Sequence, residues 1–239
     1  MTVDSPESNF LGSELDPDDR LIGEAFARLR NQLNALGTTG DWIAYHNHLT
    51  AYTVLLLLAA TGARPVTSVF ECISQFDLEH NHIYIEDKAS RGDKDGTTGR
   101  LVPQVETVSA FLKEVYLPYL RHLADGLRTW LLAMSVEVAA QSERIGSKKL
   151  PLFVLFKKNP EFDWVEVNET SLRALGLIDW PLPLNLFRHR LATRLRSIGL
   201  DPEIIDAQLG HAEAGSETYG DYSARCWAAA RSCGCSASV

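Results

Sequence analysis

The sequence predicts a mainly α-helical fold with a small antiparallel β-sheet, an α+β arrangement. Three observations support this fold class. Residues 41–61 form one long, nearly all-apolar segment, residues 82–88 and 100–104 have strand-like composition, and the C-terminal half contains several amphipathic stretches. A chain of 239 residues with 45% hydrophobic residues is large and apolar enough to form a substantial core.

The first part of the chain is predicted to be helical. Residues 21–37 have the pattern of a short amphipathic helix. Asp41 is a suitable N-cap for the long apolar helix that follows, and Gly62 provides its C-terminal stop. Pro65 suits the first turn of a further helix, where no backbone N–H is needed. We therefore expect a buried helix before Gly62 and another helix soon after it.

The middle of the chain combines a hairpin with a long helix. Residues 82–88 and 100–104 are predicted strands, and the polar, glycine-containing segment between them joins them as a long hairpin. Residues 105–143 show apolar positions at helical spacing. Two residues are expected to break this helix, Pro118 and Gly126.

Helices also dominate the predicted C-terminal part. Residues 151–156 are a short apolar strand candidate, and 184–198 form an amphipathic helix. Asp201 is expected to cap another helix that ends near Gly210, and a last helix is expected over 216–231.

The chain is expected to form one domain over residues 21–231. Residues 1–20 are expected to be an acidic, disordered leader, and 232–239 a flexible tail. The four cysteines show no disulfide framework and no signal peptide is evident, which predicts a cytoplasmic protein. The most apolar run, residues 54–60, is too short for a membrane span.

The net charge of −8 counts against tight, unaided binding to nucleic acid. The charge is unevenly distributed, because residues 1–24 hold seven acidic residues and one basic residue, a net of −6. Basic residues cluster at 144–158 and at 188–196. Since the local field matters more than the total charge, a DNA-binding cleft stays compatible with this composition.

Two arginines, Arg64 and Arg188, stand beside predicted helix ends. A phosphodiester under attack spreads charge over its oxygens, and the planar guanidinium binds two of them while keeping its proton. Asn185 lies three residues before Arg188, on the same predicted helix face. Lys88 ends a predicted strand where a long cation can reach a leaving oxygen, and His211 can donate to a phosphate. A tyrosine beyond His211 can form a covalent phosphotyrosine.

At these residues the sequence resembles the tyrosine recombinase (phage integrase) family. The matching stretches are, in chain order, Thr61-Gly62-Ala63-Arg64, Asp87-Lys88, Asn185-Leu186-Phe187-Arg188-His189 and Leu209-Gly210-His211. The interval of 24 residues from Arg64 to Lys88 and that of 23 from Arg188 to His211 also agree with the family pattern. The resemblance covers approximately residues 41–230.

The resemblance implies the catalytic-domain fold of that family and a site-specific recombinase that acts on double-stranded DNA of a mobile element, plasmid or phage. Arg64, Arg188 and His211 would bind the scissile phosphate, and Lys88 would protonate the departing 5′ oxygen. A tyrosine would attack to give a 3′-phosphotyrosyl link, with neither metal nor nucleotide cofactor. Active members work as tetramers on DNA, and most carry an N-terminal core-binding domain, which we expect to be absent or truncated here.

Three positions depart from the family pattern. Asn185 replaces a basic residue, most often histidine, and can hydrogen-bond a phosphate without exchanging a proton. Thr67 stands where an acidic residue often supports the first arginine. The usual nucleophile position is Gly220, whereas Tyr219 and Tyr222 lie one residue before and two after it. We favour Tyr222, because a two-residue insertion in the preceding loop accounts for it, and keep Tyr219 as the alternative.

Two other functions stay open at this stage. A catalytically impaired relative could keep the fold and bind DNA or a protein partner, and a type IB topoisomerase would share the chemistry. Metal binding is not expected, because the pairs His46/His48 and His80/His82 come without a third ligand. Arg100 is interpreted as an ordinary hairpin charge that can touch a DNA backbone.

Overall fold

The computed structural model describes residues 19–66, 70–85, 99–131, 152–158, 162–179 and 183–210. It confirms the predicted fold class, since helices predominate and the strands form small antiparallel sheets. The helices are α1 (Asp19–Leu36), α2 (Trp42–Thr61), α3 (Glu106–Phe111), α4 (Leu117–Leu131), α5 (Glu169–Ala174), α6 (Leu186–Ser197) and α7 (Pro202–Leu209). The strands are β1 (Phe76–Asp77), β2 (His82–Ile85), β3 (Arg100–Pro103), β4 (Val154–Lys158) and β5 (Phe162–Glu166).

Helix α2 forms the centre of the core, as its sequence predicts. The Asp41 side chain accepts a hydrogen bond from the Ala44 N–H at 3.2 Å, and Gly62 ends the helix with a left-handed φ of 62°. Leu55 and Leu57 are fully buried. Because apolar residues surround this helix, it packs on several sides at once, against α1, β4 and α6.

The chain after α2 does not continue as the predicted second helix. Residues 63–66 and 70–72 are not helical, and the next helical residues are the 3₁₀ turn Ile73–Gln75. The Val66 N–H donates to the Arg64 carbonyl at 2.7 Å, which turns the backbone tightly around Pro65. Pro65 therefore lies in a turn, where its restricted φ is equally acceptable.

The hairpin strands form an antiparallel sheet of order β1-β2-β3. Strand β2 covers 82–85 of the predicted strand 82–88, and 86–98 lie outside the described part, whereas β3 ends at Pro103, one residue before its predicted end. The register pairs Ile83 with Val102 and Ile85 with Arg100. Ile83, Ile85 and Val102 are fully buried, whereas Leu101 is exposed, so alternation places Arg100 on the buried face.

The helix that follows the sheet is more continuous than predicted, within the described residues that end at Leu131. Neither expected break occurs, because Pro118 and Gly126 both lie within α4. A π-helical turn, Leu112–Tyr116, joins α3 to α4, and the Leu117 N–H bonds to the Leu112 carbonyl. The wider turn accommodates Pro118, which lacks an N–H. Gly126 is tolerated because a helical glycine costs only about 1 kcal/mol.

Strands β4 and β5 form a second antiparallel pair, in which Leu155 lies opposite Val165. The apolar strand at 151–156 was predicted in part, whereas β5 and the short helix α5 were not. Helices α6 and α7 follow the prediction closely, and the Asp201 side chain caps α7 by accepting from the Glu203 N–H at 2.9 Å. Ala192, Ile205 and Leu209 form a small apolar cluster between these two helices.

The predicted ends of the domain lie largely outside the described residues. Helix α1 begins at Asp19, two residues inside the predicted leader, and residues 1–18 are not described. The described part ends at Gly210, so the helix predicted over 216–231 and the tail lie beyond it. Among the described helices, none is long and apolar enough to cross a membrane.

Candidate functional site

Arg64 follows the C-terminal end of α2 by three residues. The Thr61 hydroxyl donates to the Leu57 carbonyl at 2.7 Å and accepts from the Ala63 N–H at 3.2 Å. Ala63 is buried and Arg64 is partly exposed. The end of the helix therefore sets the direction of the chain, and Arg64 is the first residue after Thr61 to reach the surface.

Gly62 lets three helices meet at this point. Its φ of 62° favours glycine, and a Cβ atom added there would lie 2.8 Å from Leu191 Cδ2 and 3.0 Å from Leu209 Cδ2. Leu191 belongs to α6, and Leu209 is the last residue of α7. The Thr-Gly step of the sequence motif therefore has a structural cause, because a larger residue would separate α2 from both other helices.

Arg188 lies at this meeting point and is buried, with 5% of its surface exposed. Its Nη1 donates to the Gly62 carbonyl at 2.9 Å, and its Nη2 donates to the Leu209 carbonyl. These carbonyls belong to positions 126 and 21 residues away in sequence. One guanidinium therefore connects the C-terminal ends of α2 and α7.

A second arginine reaches the same end of α7. Arg100, the first residue of β3, is 6% exposed, and its Nε donates to the Gln208 carbonyl at 3.0 Å. The interpretation of Arg100 as an ordinary hairpin charge was wrong. The signal was present in the sequence, because period-two alternation places Arg100 on the same face as the apolar Val102.

We call this arrangement the carbonyl junction. It consists of two arginines and three main-chain carbonyls, namely Arg100, Arg188 and the carbonyls of Gly62, Gln208 and Leu209. The last carbonyls of a helix lack partners within the helix and carry about half a negative charge. They therefore favour a buried guanidinium, which never loses its proton. Each Nη nitrogen carries a second N–H, so these bonds alone do not use all donors of Arg188.

Asn185 lies beside this junction but is bound to a different residue. It is the N-cap residue of α6, without a side-chain cap bond, and its Nδ2 lies 3.0 Å from His189 Nε2. The amide donates, so this imidazole nitrogen is the acceptor. Asn185 and Arg188 therefore have separate partners, although they belong to the same turn of the helix.

Helix α6 is strongly basic. It carries four arginines, Arg188, Arg190, Arg194 and Arg196, and no acidic residue. Arg194 and Arg196 are exposed in the last turn, where the helix dipole favours cations. The surface of α6 is therefore basic, although the net charge of the whole chain is negative.

The remaining predicted site residues lie outside the described part of the chain. They are Lys88, His211, Tyr219 and Tyr222, together with Thr67. Their roles, and those of Arg64, Arg188 and Asn185 toward a phosphate, stay predictions.

The histidine pairs considered as metal ligands have other partners. His46 is fully buried, its Nε2 lies 2.9 Å from the Val154 carbonyl, and burial lowers its pKa to about 4 despite that bond. His80 is exposed and pairs with Asp77 at 2.8 Å. Within the described ranges, no group of three or more His, Cys, Asp or Glu side chains could hold a metal ion.

No family model matches the chain, and no curated protein sequence matches it. The structure of the XerA recombinase is similar with a TM-score of 0.42 and 20% identity, over 87% of this chain and 63% of that chain. The structure of the Tn1549 transposon integrase in complex with transposon right end DNA has a TM-score of 0.42 and 17% identity, over 93% and 70%. This chain thus spans less than two thirds of the XerA recombinase. Both are similarities of structure at low sequence identity.

Proposed function

We propose that this chain is the catalytic region of a tyrosine-type site-specific recombinase, which cleaves and rejoins double-stranded DNA through a 3′-phosphotyrosine intermediate. The carbonyl junction is the observation that carries the proposal. Arg188 binds the carbonyl two residues before Arg64 and the carbonyl two residues before His211. Residues two apart are separated by at most about 7 Å. Arg188 therefore joins the backbone at Gly62 and at Leu209, which precede Arg64 and His211 by two residues each and are themselves 147 positions apart.

In the proposed reaction, the hydroxyl of Tyr222, or alternatively Tyr219, attacks the scissile phosphorus. A new O–P bond to tyrosine forms as the bond to the 5′ oxygen breaks. The tyrosine hydroxyl releases its proton to solvent, and Lys88 gives the departing oxygen a proton. Arg64 and Arg188 stabilise the negative charge of the transition state, where prearranged cations are most effective. The phosphotyrosine keeps the energy of the broken bond, so the reverse attack by a 5′ hydroxyl rejoins the strand.

The proposed partner is double-stranded DNA. The exposed arginines of α6 support this, because contacts between basic side chains and phosphates provide most sequence-independent affinity for DNA. Self-association as a tetramer on DNA belongs to the same proposal. Salt should weaken this binding, because each contact of a basic side chain with a phosphate releases counterions from the DNA.

Covalent trapping tests the proposal. A DNA site is first selected from random duplexes and then prepared with a nick beside the cleaved phosphate, so that the released fragment diffuses away. We expect a protein–DNA complex that survives denaturing electrophoresis. Tyr222→Phe should abolish it and Tyr219→Phe should not. The opposite result would assign the nucleophile to Tyr219, and trapping that neither change affects would show that neither tyrosine is the nucleophile.

One observation favours a second candidate, a catalytically impaired relative that binds DNA or a protein. Asn185 stands where the family pattern has a basic residue and pairs with His189, and its own amide does not exchange a proton near neutral pH. For this candidate we expect selected DNA to bind without any covalent complex. Relaxation of a supercoiled plasmid, without a second site, would instead indicate a type IB topoisomerase.

A further inference from the structure

Arg100 connects two segments that the proposed mechanism brings to one phosphate. It opens β3, the strand that leaves the hairpin, and it pairs in register with Ile85 of β2. Lys88 follows Ile85 by three residues. The other end of the Arg100 side chain bonds to the Gln208 carbonyl, three residues before His211.

The contact with α7 extends beyond a single hydrogen bond. A Cβ atom added to Gly210 would lie 2.8 Å from Arg100 Nη1 and 3.2 Å from its Cζ. The guanidinium therefore lies directly against the Gly210 backbone, whose φ of 67° favours glycine. The absence of a side chain at Gly210 makes room for Arg100.

Burial makes this contact a positional restraint. Arg100 is 6% exposed, so its charge is removed from water, and the Gln208 carbonyl at the end of α7 helps to stabilise it. Moving β3 away from α7 would break the hydrogen bond between the Arg100 guanidinium and the Gln208 carbonyl. The register of the hairpin strands is thereby coupled to the end of α7.

We propose that Arg100 is a positioning residue for Lys88. By holding β3 on the end of α7, it fixes the position of the paired residue Ile85, three residues before Lys88, the proposed acid for the leaving 5′ oxygen. This inference rests on the proposed function. Arg100 acts through Lys88 and does not itself bind the DNA.

The shape of arginine explains the residue type. Its Nε bonds to the Gln208 carbonyl while the Nη side of the fork lies on Gly210. Lysine has one nitrogen at the end of a flexible chain and cannot occupy both places. Arg100→Lys should therefore behave like Arg100→Gln rather than like the wild type.

The test compares two leaving groups under single-turnover conditions. One nicked duplex carries the natural 5′ oxygen, and the other carries a 5′-bridging sulfur, which departs as a thiolate and does not need a proton. A general acid contributes about 10²- to 10⁴-fold to such a step. We expect Arg100→Gln and Arg100→Lys to slow cleavage of the oxygen substrate about 100-fold, at that lower limit. We expect sulfur to restore most of the rate.

Two further measurements complete the design. The dissociation constant for uncleaved DNA should change less than about 3-fold, because Arg100 is buried. Arg121→Gln, which removes an exposed charge from α4, is the control for lost charge and should leave both rates unchanged. Thermal unfolding shows whether each variant is folded. If Arg100→Gln does not fold, the comparison is made with Arg100→Lys.

The outcomes separate the two proposals. Equal losses on both substrates, unchanged cleavage, or a loss of DNA affinity that matches the loss of rate would each overturn the positioning role while the recombinase proposal stands. If the wild-type protein forms no covalent complex with either substrate, the proposed function fails, and the role of Arg100 fails with it.

Discussion

The two ends of helix α2 are held by polar side chains of different kinds. At its C-terminal end, the Gly62 carbonyl accepts from the permanently charged Arg188. Near its N-terminal end, the neutral side chains of His46 and Asn47 bond to the backbone of β4. We call this second arrangement the histidine junction, which consists of His46 and Asn47 with the backbone of Val154 and Phe156.

Asn47 makes the hydrogen bonds to β4 that a neighbouring strand would make. Its Nδ2 donates to the Phe156 carbonyl and its Oδ1 accepts from the Phe156 N–H, both at 2.8 Å. This is the pair of bonds that an additional antiparallel strand would make, so α2 covers the edge of β4 and satisfies it. The Val154 carbonyl can only accept, so His46 Nε2 carries the hydrogen, while Nδ1 lies 3.3 Å from the Tyr119 hydroxyl.

The difference between the two junctions shows which backbone geometry stabilises a charged side chain and which a neutral one. A helix end presents several carbonyls in one direction and their dipoles add, so a cation is stabilised. The backbone of β4 presents a donor and an acceptor at Phe156, which a neutral amide matches and a cation does not. The backbone geometry at each end of α2 therefore decides whether a charged or a neutral side chain belongs there.

The largest effect is expected from Arg188→Met. It leaves the Gly62 and Leu209 carbonyls buried without this donor, at about 1–3 kcal/mol each, so urea unfolding should show a loss of about 4 kcal/mol. Arg188→Lys should lose about half as much, because one nitrogen cannot bridge both carbonyls. Arg196→Met, at an exposed position of the same helix, should stay within about 0.5 kcal/mol of wild type. Equal losses at Arg188 and Arg196 would contradict the carbonyl junction.

A somewhat smaller effect is expected at the histidine junction. Asn47→Ala leaves both the N–H and the carbonyl of Phe156 without their partner, and should lower the free energy of unfolding by about 3 kcal/mol. Asn34→Ala, at an exposed position of α1, is the matched control and should have little effect. Similar unfolding midpoints for the two variants would show that the Asn47 bonds contribute nothing.

The pH dependence of stability distinguishes the neutral junction from the charged one. Burial lowers the pKa of His46 to about 4 from 6.5, so the unfolded chain binds the proton more readily. Stability should fall as the pH decreases below 6.5 and level off below 4, with a loss of about 2 kcal/mol between pH 7 and 5. His46→Gln keeps a donor for Val154 and should remove this part of the dependence. If the wild type and His46→Gln showed identical dependence of stability on pH, the lowered pKa of His46 would be contradicted.

The smallest effect is expected from the helix caps. Asp41→Ala removes the side chain that accepts from Ala44, and should cost about 1 kcal/mol in thermal or urea unfolding. Asp201→Ala, at the start of α7, removes the equivalent bond to Glu203 and should cost a similar amount. If Asp41→Ala cost as much as Asn47→Ala, the cap rather than the β4 contact would hold the N-terminal end of α2.

Local signals predicted much of the fold. Asp41 and Gly62 gave the limits of α2, and Asp201 and Gly210 gave those of α7, because caps depend on residues within one turn of the helix end. The two-residue strand β1 and the strand β5 were missed, since segments that short show too little periodicity. The expected break at Pro118 was wrong because the compensating π turn leaves no clear sequence signal.

The candidate site was predicted unevenly. The motif selected Arg64 and Arg188, and the structure brings the Arg188 side chain to the backbone two residues before Arg64. Arg100 was misinterpreted, because its importance depends on a carbonyl 108 residues away. Asn185 was expected on the same helix face as Arg188, but helical spacing places His189 within its reach as well, and the structure shows the bond to His189.

The sequence by itself determined where the main helices begin and end and which residue types could serve phosphate chemistry, because capping and side-chain chemistry are local properties. Only the tertiary structure decided which cations are buried and where they are held. Here the charges of Arg188 and Arg100 are buried where carbonyls from distant parts of the chain converge. That convergence, at the ends of α2 and α7, placed Arg188 and Arg100 together.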